Sequence, residues 1–401
     1  MIVHTSRTSS RRLLVVTESL GVGGTESHLL RLLPRLSTYG WDIAVFCLTA
    51  RGRNAGQMTA AGIQVFGPDP DVAPAAPQRD SAHIIKAAAR LFRVVKKWRP
   101  LIVHFYLPGP YLVGAPISLA AGVPIKVMSR RCLSHYQERR PISAKLEHFL
   151  HQRMNAVIGN SQAVVRDLTN EGLSLDKITL IYNGIETGVD FFDRREARRA
   201  LGLDANALVG VMVANLIPYK GHRTMIEGIS SVSQRLPSGW KILCAGRDEG
   251  LRVELEQLAE SRGVKANFEF IGERTDIPQV LAAADFGILS SEEEGFSNAV
   301  LEGMSAGLPM VVTAVGGNAE ALRNEETGLI VPPKDPFALG KAVLRLAGDP
   351  ELRKDLGRAA CNSVMREFSI DNCVGAHNLL YNKLSVNGPA SLSPPSWLTR
   401  N

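Results

Sequence analysis

LSSEEEGFSNAVLEGMSAGLPMVVTAVGGNAE, residues 289–320, reads as an acidic loop, a helix and a buried strand in succession. The loop ends at Gly295, and Ser297 or Asn298 is the kind of polar residue that caps a helix N-terminus. We expect a helix of about ten residues ending before Gly307, then a parallel strand in the MVVTAV segment. Such a helix start directs backbone N–H groups at whatever lies above it, which suits a phosphate or a sugar hydroxyl.

Two carboxylates, Glu294 before this helix and Glu302 inside it, are eight positions apart. On a helix that spacing corresponds to roughly 12 Å along the axis, whereas a retaining glycosidase needs its carboxyl pair at about 5 Å. An acid/nucleophile pair is therefore disfavoured, and two acceptors holding different ends of one polyhydroxylated ligand fit better. Without further context, two solvated surface charges are the simpler explanation.

The composition indicates an α/β protein of two or three domains. The chain has 401 residues, of which 45% are hydrophobic, and this is ample for sizeable cores. Short apolar strands alternate with helical runs, which is typical of doubly wound domains with parallel sheets. We predict strands at 13–17, 41–48, 100–105, 124–129 and 156–161, and again at 208–215, 241–246, 268–272, 286–290 and 310–315.

A set of short motifs follows one another in an order that resembles a known enzyme family. The motifs are Asn160-Ser161, Tyr182-Asn183-Gly184-Ile185, Lys220-Gly221, Phe270-x-Gly272, Glu294-Gly295-Phe296 with Glu302, Gly307-x-Pro309, Gly316-Gly317-x-x-Glu320 and TGLIVP at 327–332. Each is weak alone, but the ordered set covers most of residues 13–335 and resembles the retaining glycosyltransferases of family four. The resemblance implies an α/β GT-B architecture, in which two Rossmann-like doubly wound domains face a cleft.

The resemblance also implies which residues hold a nucleotide-diphospho-sugar. Glu294 and Lys220 are the expected catalytic residues, with Glu294 on the sugar hydroxyls and Lys220 on the donor diphosphate. Glu302 is expected to accept hydrogen bonds from the ribose hydroxyls. The other expected donor-binding positions are Gly295, Phe296, Ser297, Asn298, Asn215, Arg247, Gly23 and Gly24.

One departure from the family pattern affects the donor side. The family arginine five positions before the lysine is Asn215 here, which weakens the expected two-cation clamp. Arg247 and Arg223 are both left open as the compensating cation.

A second departure affects the acceptor side. Many family members have a histidine after the strand corresponding to 124–129, where this chain has Arg130-Arg131. A histidine-assisted role is therefore unsupported, and an arginine can hold acceptor phosphate or hydroxyls. We predict Arg130, Arg131 and the strand-end His104 on the acceptor side, with a purely structural His104 left open.

A glycine-rich turn follows the first predicted strand. Gly23 and Gly24 let the backbone approach a ligand, and the start of the helix predicted at about 25–36 favours an anion. The turn is not a G-x-G-x-x-G, so NAD is a poor match. A tight turn that simply requires glycine is the open alternative; in similar glycosyltransferases this loop lies across the cleft from the donor phosphates.

The positive charge is concentrated in the first half of the chain. Residues 1–190 contain 23 Lys and Arg against 13 Asp and Glu, and residues 191–401 contain 23 against 26. The helix at 81–98 is amphipathic, and its basic residues are interpreted as a solvated face. Basic and apolar residues alternate along 130–153, a composition that suits an interfacial helix on an anionic bilayer. Membrane contact and a plain solvated surface are both left open for that segment.

No metal or cofactor is predicted beyond the nucleotide-sugar co-substrate. Asp69-x-Asp71 lies in a proline-rich loop, and GT-B enzymes do not require a metal-binding D-x-D. Five scattered cysteines without a C-x-x-C indicate a reduced, cytoplasmic protein. No membrane-spanning or signal-peptide pattern is found, and attachment to the inner face of the plasma membrane is left open.

We predict four segments: an acceptor-side domain at 1–188, a donor-binding domain at 189–366, a helix at 367–385 that returns to the first domain, and a flexible tail at 386–401.

The predicted function is a retaining, metal-independent hexosyltransferase acting on a glycan or lipid-linked acceptor in cell-envelope, lipopolysaccharide or exopolysaccharide synthesis. The main alternative is a catalytically impaired GT-B relic that binds nucleotide-sugar or a membrane surface. Nucleic-acid binding is disfavoured because no such motif accompanies the charge. A phosphorylase would need a lysine-bound pyridoxal phosphate, which an absorbance scan would detect.

Overall fold

The computed structural model describes residues 11–68, 81–187 and 192–387. Four segments lie outside these ranges: residues 1–10, the loop with Asp69-x-Asp71, residues 188–191 at the predicted domain boundary, and residues 388–401 of the predicted tail. The chain divides into two compact units, Met1–Gly184 with Ile370–Asn401, and Ile185–Ser369.

The first unit contains a seven-stranded sheet in which every strand pair is parallel. Its strands are β1 (Arg12–Ser19), β2 (Asp42–Ala50), β3 (Gln64–Phe66), β4 (Ile102–Tyr106), β5 (Ile125–Arg130), β6 (Ala156–Gly159) and β7 (Ile178–Leu180). Its helices before the crossing to the second unit are α1 (Gly24–Ser37), α2 (Ala55–Ala60), α3 (Ser81–Trp98), α4 (Pro108–Ala120), α5 (His135–Glu138), α6 (Pro141–His151) and α7 (Gln162–Asn170). The strand order is β3-β2-β1-β4-β5-β6-β7.

The second unit contains a six-stranded parallel sheet of the same kind. Its strands are β8 (Val209–Val213), β9 (Lys241–Ala245), β10 (Phe268–Gly272), β11 (Phe286–Leu289), β12 (Met310–Thr313) and β13 (Leu329–Val331). Its helices are α8 (Arg194–Ala200), α9 (His222–Val232), α10 (Arg252–Ser261), α11 (Ile277–Ala282), α12 (Asn298–Ser305), α13 (Asn318–Ala321), α14 (Pro336–Gly348) and α15 (Pro350–Glu367). The order is β10-β9-β8-β11-β12-β13, so β8 and β11 are neighbours at the point where the order reverses.

The last helix of the described chain, α16 (Ile370–Asn387), belongs to the first unit. The indole Nε1 of Trp41 donates a hydrogen bond to Asn378 Oδ1 at 3.0 Å, and the ring of Tyr381 packs edge-on against the same indole. The helix therefore returns to the sheet of the first unit and packs beside α1.

The alternation along β1 shows why the first sheet has two cores. Leu13 and Val15 pack into the core under α1, α2 and α16, whereas Leu14 and Val16 pack into the core under α3, α4, α6 and α7. Successive side chains of a strand point to opposite faces, so a strand covered on both faces is apolar throughout. That is the continuous apolar pattern from which the parallel sheets were predicted.

The predicted fold class is confirmed, and all ten predicted strands are present. The strands that were not predicted, β3, β7 and β13, have three residues each and lie at sheet edges. Three residues are too few to establish a periodicity. Helix α12 has eight residues and is shorter than predicted. Within the described ranges, no helix combines the length and apolarity needed to cross a bilayer.

Candidate active site

The candidate site lies in the second unit, where the loops after β8 and β11 meet. Because β8 and β11 are adjacent and parallel, their carboxyl ends lie side by side at the switch point where open α/β sheets bind ligands. The loop after β11 is tied to the loop after β8 by its backbone: Glu292 N–H donates to Tyr219 O at 2.7 Å. The hydroxyl of Ser290 adds a hydrogen bond to Gly221 O at 2.8 Å.

The two residues predicted to be catalytic contact each other at this junction. The ammonium of Lys220 lies 2.6 Å from Glu294 Oε1, and the side chains of both residues are mostly buried, at 19% and 10% exposure. Lys220 ends a short 3₁₀ turn, Pro218–Lys220, and the following Gly221 has a left-handed backbone with φ +75°. The turn thus places Lys220, which follows β8, against Glu294, which follows the neighbouring strand β11.

Ser291 was not predicted, yet it holds the same carboxylate. Its hydroxyl donates to Glu294 Oε1 at 2.7 Å, so this oxygen accepts from both Lys220 and Ser291. The carbonyl of the buried Ser291 in turn accepts from Thr313 Oγ1, at the end of β12, at 2.5 Å. The carboxylate is therefore positioned from three neighbouring strands. The only sequence signal for Ser291 is its place between a buried strand and an acidic loop.

Of the two residues left open as the cap of α12, Ser297 is the N-cap. Its hydroxyl accepts from Val300 N–H, which satisfies one of the first N–H groups of the helix. The preceding loop is held because Gly317 N–H donates to Gly295 O at 3.0 Å and the buried Phe296 ring packs against Phe368. Asn298 is the first helical residue of α12.

Glu302 is a partly exposed residue of α12, four positions beyond Asn298. The helix therefore connects the Glu294 loop to the second predicted carboxylate. Glu294 thus lies in the loop before α12, and Glu302 lies within the helix.

Asn215 has a structural partner that the sequence did not reveal. Its side-chain oxygen accepts from the backbone N–H of Arg247 at 3.1 Å, so the loops after β8 and β9 are joined at this position. The Arg247 guanidinium is half exposed and contacts Glu249 at 2.5–2.8 Å. Arg223 instead pairs with Glu254 of α10. Of the two cations left open by the sequence, Arg247 contacts Asn215 only through its backbone N–H, so the compensating cation stays a prediction.

His222, which follows the Lys220-Gly221 pair, is a buried neighbour of the site that was also not predicted. Neither ring nitrogen has a hydrogen-bond partner. Burial, together with the nearby charge of Lys220, lowers the pKa of His222 to about 4. The imidazole is therefore neutral at physiological pH, and Lys220 is the cation of this turn.

His104 lies in the core of the first unit, contrary to the acceptor-side prediction. Strand β4 continues to Tyr106, so His104 is inside the sheet instead of at its end. The residue is fully buried, and its ring nitrogens contact Tyr381 Oη at 2.6 Å and Ser129 Oγ at 2.8 Å. Burial is the main cause of its lowered pKa. His104 therefore holds α16 to the sheet.

The acceptor-side prediction is also wrong for Arg130, which lies in the interior of the first unit. Its fully buried guanidinium contacts both carboxylate oxygens of Glu171, at 2.9 and 3.0 Å, and Glu147 at 3.4 Å. Tyr136 Oη donates to both oxygens of Glu147 at 2.7 Å. The residue ends β5 with its side chain towards α6 and α7, where a buried charge must be paired. Arg130 is thus a structural cation.

Arg131 points to the opposite face of the sheet and remains the acceptor-side prediction. It is partly exposed, and its guanidinium lies 6.0 Å from the centre of the Tyr106 ring. Burial lowers the pKa of Arg131, and its interaction with Tyr106 is the largest effect that opposes this shift.

Gly23 and Gly24 form the start of α1 in the first unit. Gly23 O accepts from Ser27 N–H at 2.9 Å, and Gly24 is the first helical residue. A Cβ added to Gly23 would lie 2.5 Å from a carboxylate oxygen of Glu26. The glycine therefore allows the Glu26 carboxylate to approach the helix start.

Among residues 11–68, 81–187 and 192–387, no group of three or more His, Cys, Asp and Glu side chains is arranged to hold a metal ion.

Comparison with solved structures identifies the class of the protein. Anabaena HepE, solved in complex with UDP and glucose, superposes with a TM-score of 0.81 at 21% identity, covering 93% of this chain and 100% of that one. WaaG, a glycosyltransferase involved in lipopolysaccharide biosynthesis, superposes with a TM-score of 0.70 at 16% identity, covering 92% and 99%. The two Rossmann-like sheets therefore define a GT-B fold.

The family follows from the sequence comparisons. Residues 22–189 match the model of Glycosyltransferase Family 4, and residues 193–363 match that of Glycosyl transferases group 1. The lipopolysaccharide core biosynthesis mannosyltransferase LpsB of Rhizobium meliloti is 32% identical over 250 residues, 59% of this chain and 68% of LpsB. The D-inositol 3-phosphate glycosyltransferase of Acidothermus cellulolyticus is 28% identical over 388 residues, 88% of this chain and 84% of that protein. The chain belongs to glycosyltransferase family 4 and is a glycosyltransferase.

Proposed function

We propose that this glycosyltransferase is a retaining, metal-independent hexosyltransferase that uses a nucleotide-diphospho-sugar. Its acceptor is a glycan or a lipid-linked sugar of cell-envelope, lipopolysaccharide or exopolysaccharide synthesis. The observation that carries the proposal is the 2.6 Å contact between Lys220 and Glu294 beside the capped start of α12. A cation, a carboxylate and the N-terminus of a helix are the groups that a diphosphate joined to a sugar requires.

The roles follow from where charge develops during transfer. As the bond between the sugar and the diphosphate breaks, negative charge grows on the leaving diphosphate. Lys220 and the start of α12 stabilise that charge, and Glu294 accepts hydrogen bonds from the sugar hydroxyls. Glu302 accepts from the ribose hydroxyls. Groups held in place before the reaction need no reorganisation as the charge appears, so this electrostatic contribution is the largest in the site.

Relatives support the donor class and the pathway. HepE has been solved with UDP and with UDP-glucose, and LpsB is named as a mannosyltransferase of lipopolysaccharide core biosynthesis. A nucleotide-sugar donor and an envelope glycan acceptor are therefore the first substrates to test on this chain.

The donor is tested by thermal denaturation with UDP-, GDP- and ADP-sugars at millimolar concentration. We expect one nucleotide class to raise the melting temperature of the protein. The donor that does so is then used in a transfer assay with and without EDTA. We expect product with the anomeric configuration of the donor, read by NMR coupling constants, and equal rates with EDTA. No stabilisation by any of these sugars, an inverted product or loss of activity in EDTA would each overturn the corresponding part of the proposal.

The catalytic assignment is tested with Lys220→Ala and Glu294→Ala. Removing one charge-stabilising contact typically costs ~3 kcal/mol, so kcat should fall about a hundredfold for each variant. Glu292→Ala and Lys334→Ala are matched controls, because these residues form an exposed ion pair at 3.0 Å beside the same loop. We expect the controls to stay within about twofold of the parent rate, as exposed pairs contribute little.

A catalytically impaired GT-B relic is the second candidate, and Asn215 favours it. The family arginine is replaced by a neutral side chain whose oxygen is used by the Arg247 N–H group. A relic would be stabilised by a nucleotide-sugar yet show neither transfer nor donor hydrolysis. Turnover that is abolished by Lys220→Ala excludes this candidate.

We further propose that the first unit holds the acceptor, with Arg131 as its contact, and that the protein is cytoplasmic and meets the anionic inner face of the plasma membrane. A lipid-linked acceptor would be presented at that surface. Exposed residues of the first unit, described in the next subsection, are the ones to substitute in a test of the membrane contact.

A further inference from the structure

Three helices, α3, α4 and α6, cover the same face of the first sheet. Their buried sides share one core, to which α3 contributes Leu91 and Val95, α4 contributes Tyr111 and Ala115, and α6 contributes Leu150. Helix α4 packs against α3 on one side and against α6 on the other. Their outward sides therefore form one continuous surface of the unit.

Large apolar side chains project outward from α3 and α6. Helix α3 exposes Ile85 at 67% and Phe92 at 40%, and α6 exposes Ile142 at 85%, Leu146 at 42% and Phe149 at 52%. Residues 142, 146 and 149 follow the i, i+4, i+7 spacing of one helix face, and 85, 89 and 92 do the same. Each helix therefore has a second apolar stripe that the core does not use.

Each stripe ends in a cation that lies over its aromatic ring. Lys96 Nζ is 5.6 Å from the centre of the Phe92 ring, and Arg153 Cζ is 3.4 Å from the centre of the Phe149 ring. Long basic side chains that lie along apolar surface and keep the charge at its border are typical of residues at a membrane interface. The same pairing recurs on two separate helices.

Helix α4 fills the space between the stripes and has no charged residue. Its Pro116 and Ala120 are exposed, and Leu112, Val113, Ile117 and Leu119 are only partly buried. A helix that is apolar on all sides is ordinarily enclosed by protein or by lipid. The outer side of α4 therefore extends the apolar surface from α3 to α6.

The exposed charged side chains on α3 and α6 are all basic, and Glu138 is an exposed carboxylate just before α6. Residues 81–99 contain six Lys and Arg and no acidic residue, and residues 139–153 contain four Lys and Arg with Glu147 as the one acidic residue. Glu147 is fully buried and contacts Arg130, so it adds no negative charge to the surface. Six basic residues thus lie on α3 and α6, and four more flank these two helices in the sequence.

We propose that the outer face of α3, α4 and α6 is a docking face for an anionic lipid bilayer. The apolar stripes enter the boundary between headgroups and acyl chains, and the basic residues contact the lipid phosphates. A second copy of the chain would bring two strongly basic faces together, which repulsion disfavours. The face extends the membrane contact proposed above, but it rests only on residues of the first unit. The sequence suggested membrane contact by the single segment 130–153. The docking face consists instead of three helices, and it does not include Arg130, which is buried.

The experiment measures co-sedimentation of the full chain with vesicles, with no sugar donor present. We expect binding to vesicles of phosphatidylcholine with about 30% phosphatidylglycerol, weakened at 0.5 M NaCl, and little binding to pure phosphatidylcholine. Ile85→Gln/Ile142→Gln should lower the partition coefficient at least tenfold. Lys97→Gln/Lys145→Gln should lower it roughly 25-fold at low salt, about fivefold for each charge.

Matched controls are Val253→Gln/Phe337→Gln and Arg235→Gln/Lys354→Gln, exposed residues of the second unit. These double variants should bind vesicles as the parent does. The proposal is overturned by equal binding to neutral vesicles, or by face variants that bind as tightly as the controls. It is also overturned if the parent is a dimer by light scattering that the face variants dissociate, or if it binds oligonucleotides but no vesicles.

The docking face and the donor proposal fail separately. Thermal stabilisation by the nucleotide-sugar should be the same in the face variants as in the parent, which also establishes that the variants are folded. Vesicle binding without any donor stabilisation would remove the donor assignment and leave the docking face standing. Donor stabilisation without vesicle binding would remove the docking face and leave the donor assignment standing.

Discussion

Glu294 illustrates how a single carboxylate oxygen is held by two donors of different kinds. Lys220 brings a positive charge from the loop after β8, and Ser291 brings a neutral hydroxyl from its own loop. The hydroxyl fixes the orientation of the carboxylate, whereas the lysine also neutralises it. If Glu294 has the proposed role, Ser291 acts as a positioning residue through its hydrogen bond to this carboxylate.

Replacing Ser291 with Ala should lower kcat/KM for the nucleotide-sugar about tenfold. A hydrogen bond to a charged group is worth about 1.5–3 kcal/mol, and Lys220 retains part of the orientation. Steady-state kinetics of the purified protein measures the effect. Ser231→Ala is the matched control, since that hydroxyl donates to Gly228 O within α9, and it should leave kcat/KM unchanged. A Ser291→Ala enzyme within twofold of the parent would remove the residue from the site.

Gly221 is the one position of the lysine turn that only glycine can occupy. Its φ is +75°, and an added Cβ would lie 1.9 Å from the backbone oxygen of Ser290. Gly239 has nearly the same φ, +76°, but nothing lies within 4 Å of its Cβ position. Alanine variants at the two glycines therefore measure separately the energetic cost of the left-handed backbone and the cost of the close approach to Ser290.

Gly239→Ala should lower the free energy of unfolding by about 1–2 kcal/mol, the cost of a left-handed non-glycine residue. Gly221→Ala should cost at least ~2 kcal/mol more, because the loops after β8 and β11 must separate. Urea denaturation followed by circular dichroism gives both values. Equal costs for the two variants would mean that the loops are not held together in solution.

At the scale of the elements, Arg130 joins β5 to α6 and α7. One buried guanidinium faces Glu147 of α6 and Glu171, the residue that follows α7. The sequence predicted a surface cation for acceptor binding, and the structure has an internal ion network. The network also orients α6, whose opposite side carries the exposed stripe of the docking face.

Arg130→Ala should lower the free energy of unfolding of the first unit by about 3–5 kcal/mol, because two carboxylates lose their buried partner. Arg139→Ala, an exposed arginine nearby, should change it by less than ~0.5 kcal/mol. Denaturant unfolding supplies both numbers. Donor-induced thermal stabilisation should persist in any folded Arg130→Ala protein. If Arg130→Ala leaves stability intact but raises KM for the acceptor, the residue returns to the acceptor side.

Across the whole molecule, buried neutral histidines make stability depend on pH. Burial lowers the pKa of His377 in the first unit and of His222 in the second, each to about 4. Burial likewise lowers the pKa of His28 and His104, which lie within about 6 Å of His377 between ring centres. Between the unfolded value near 6.5 and the folded value, the unfolded chain binds more protons, so stability falls as pH falls.

Each unit should therefore lose stability between pH 7.5 and pH 5.5, by about 1 kcal/mol for each such histidine. Urea denaturation at the two pH values measures the loss. His222→Leu removes one titrating group from the second unit and should reduce the loss by about 1 kcal/mol, whatever its effect at pH 7.5. An unchanged difference between the two pH values would mean that His222 is protonated or exposed in the folded state.

The sequence determined the elements whose pattern is local. Apolar runs bounded by glycine and proline predicted ten strands. The ordered motifs predicted Lys220, Glu294 and Ser297 as parts of one site, because each motif lies at the end of a strand or the start of a helix. The contacts that decided the other residues come from distant parts of the chain. Glu171 is 41 positions from Arg130, and Tyr381 is 277 positions from His104.

Only the tertiary structure decided which way those side chains point. Where β4 ends determines whether His104 is at an edge or in a core. Arg130, the last residue of β5, points to one face of the sheet, and Arg131, which follows the strand, lies near Tyr106 on the other. The neighbours of a helix likewise decide which of its apolar sides is buried in the core and which stays exposed. Local sequence sets the conformation of an element, but the faces that become buried are set by packing between elements that are far apart in the chain.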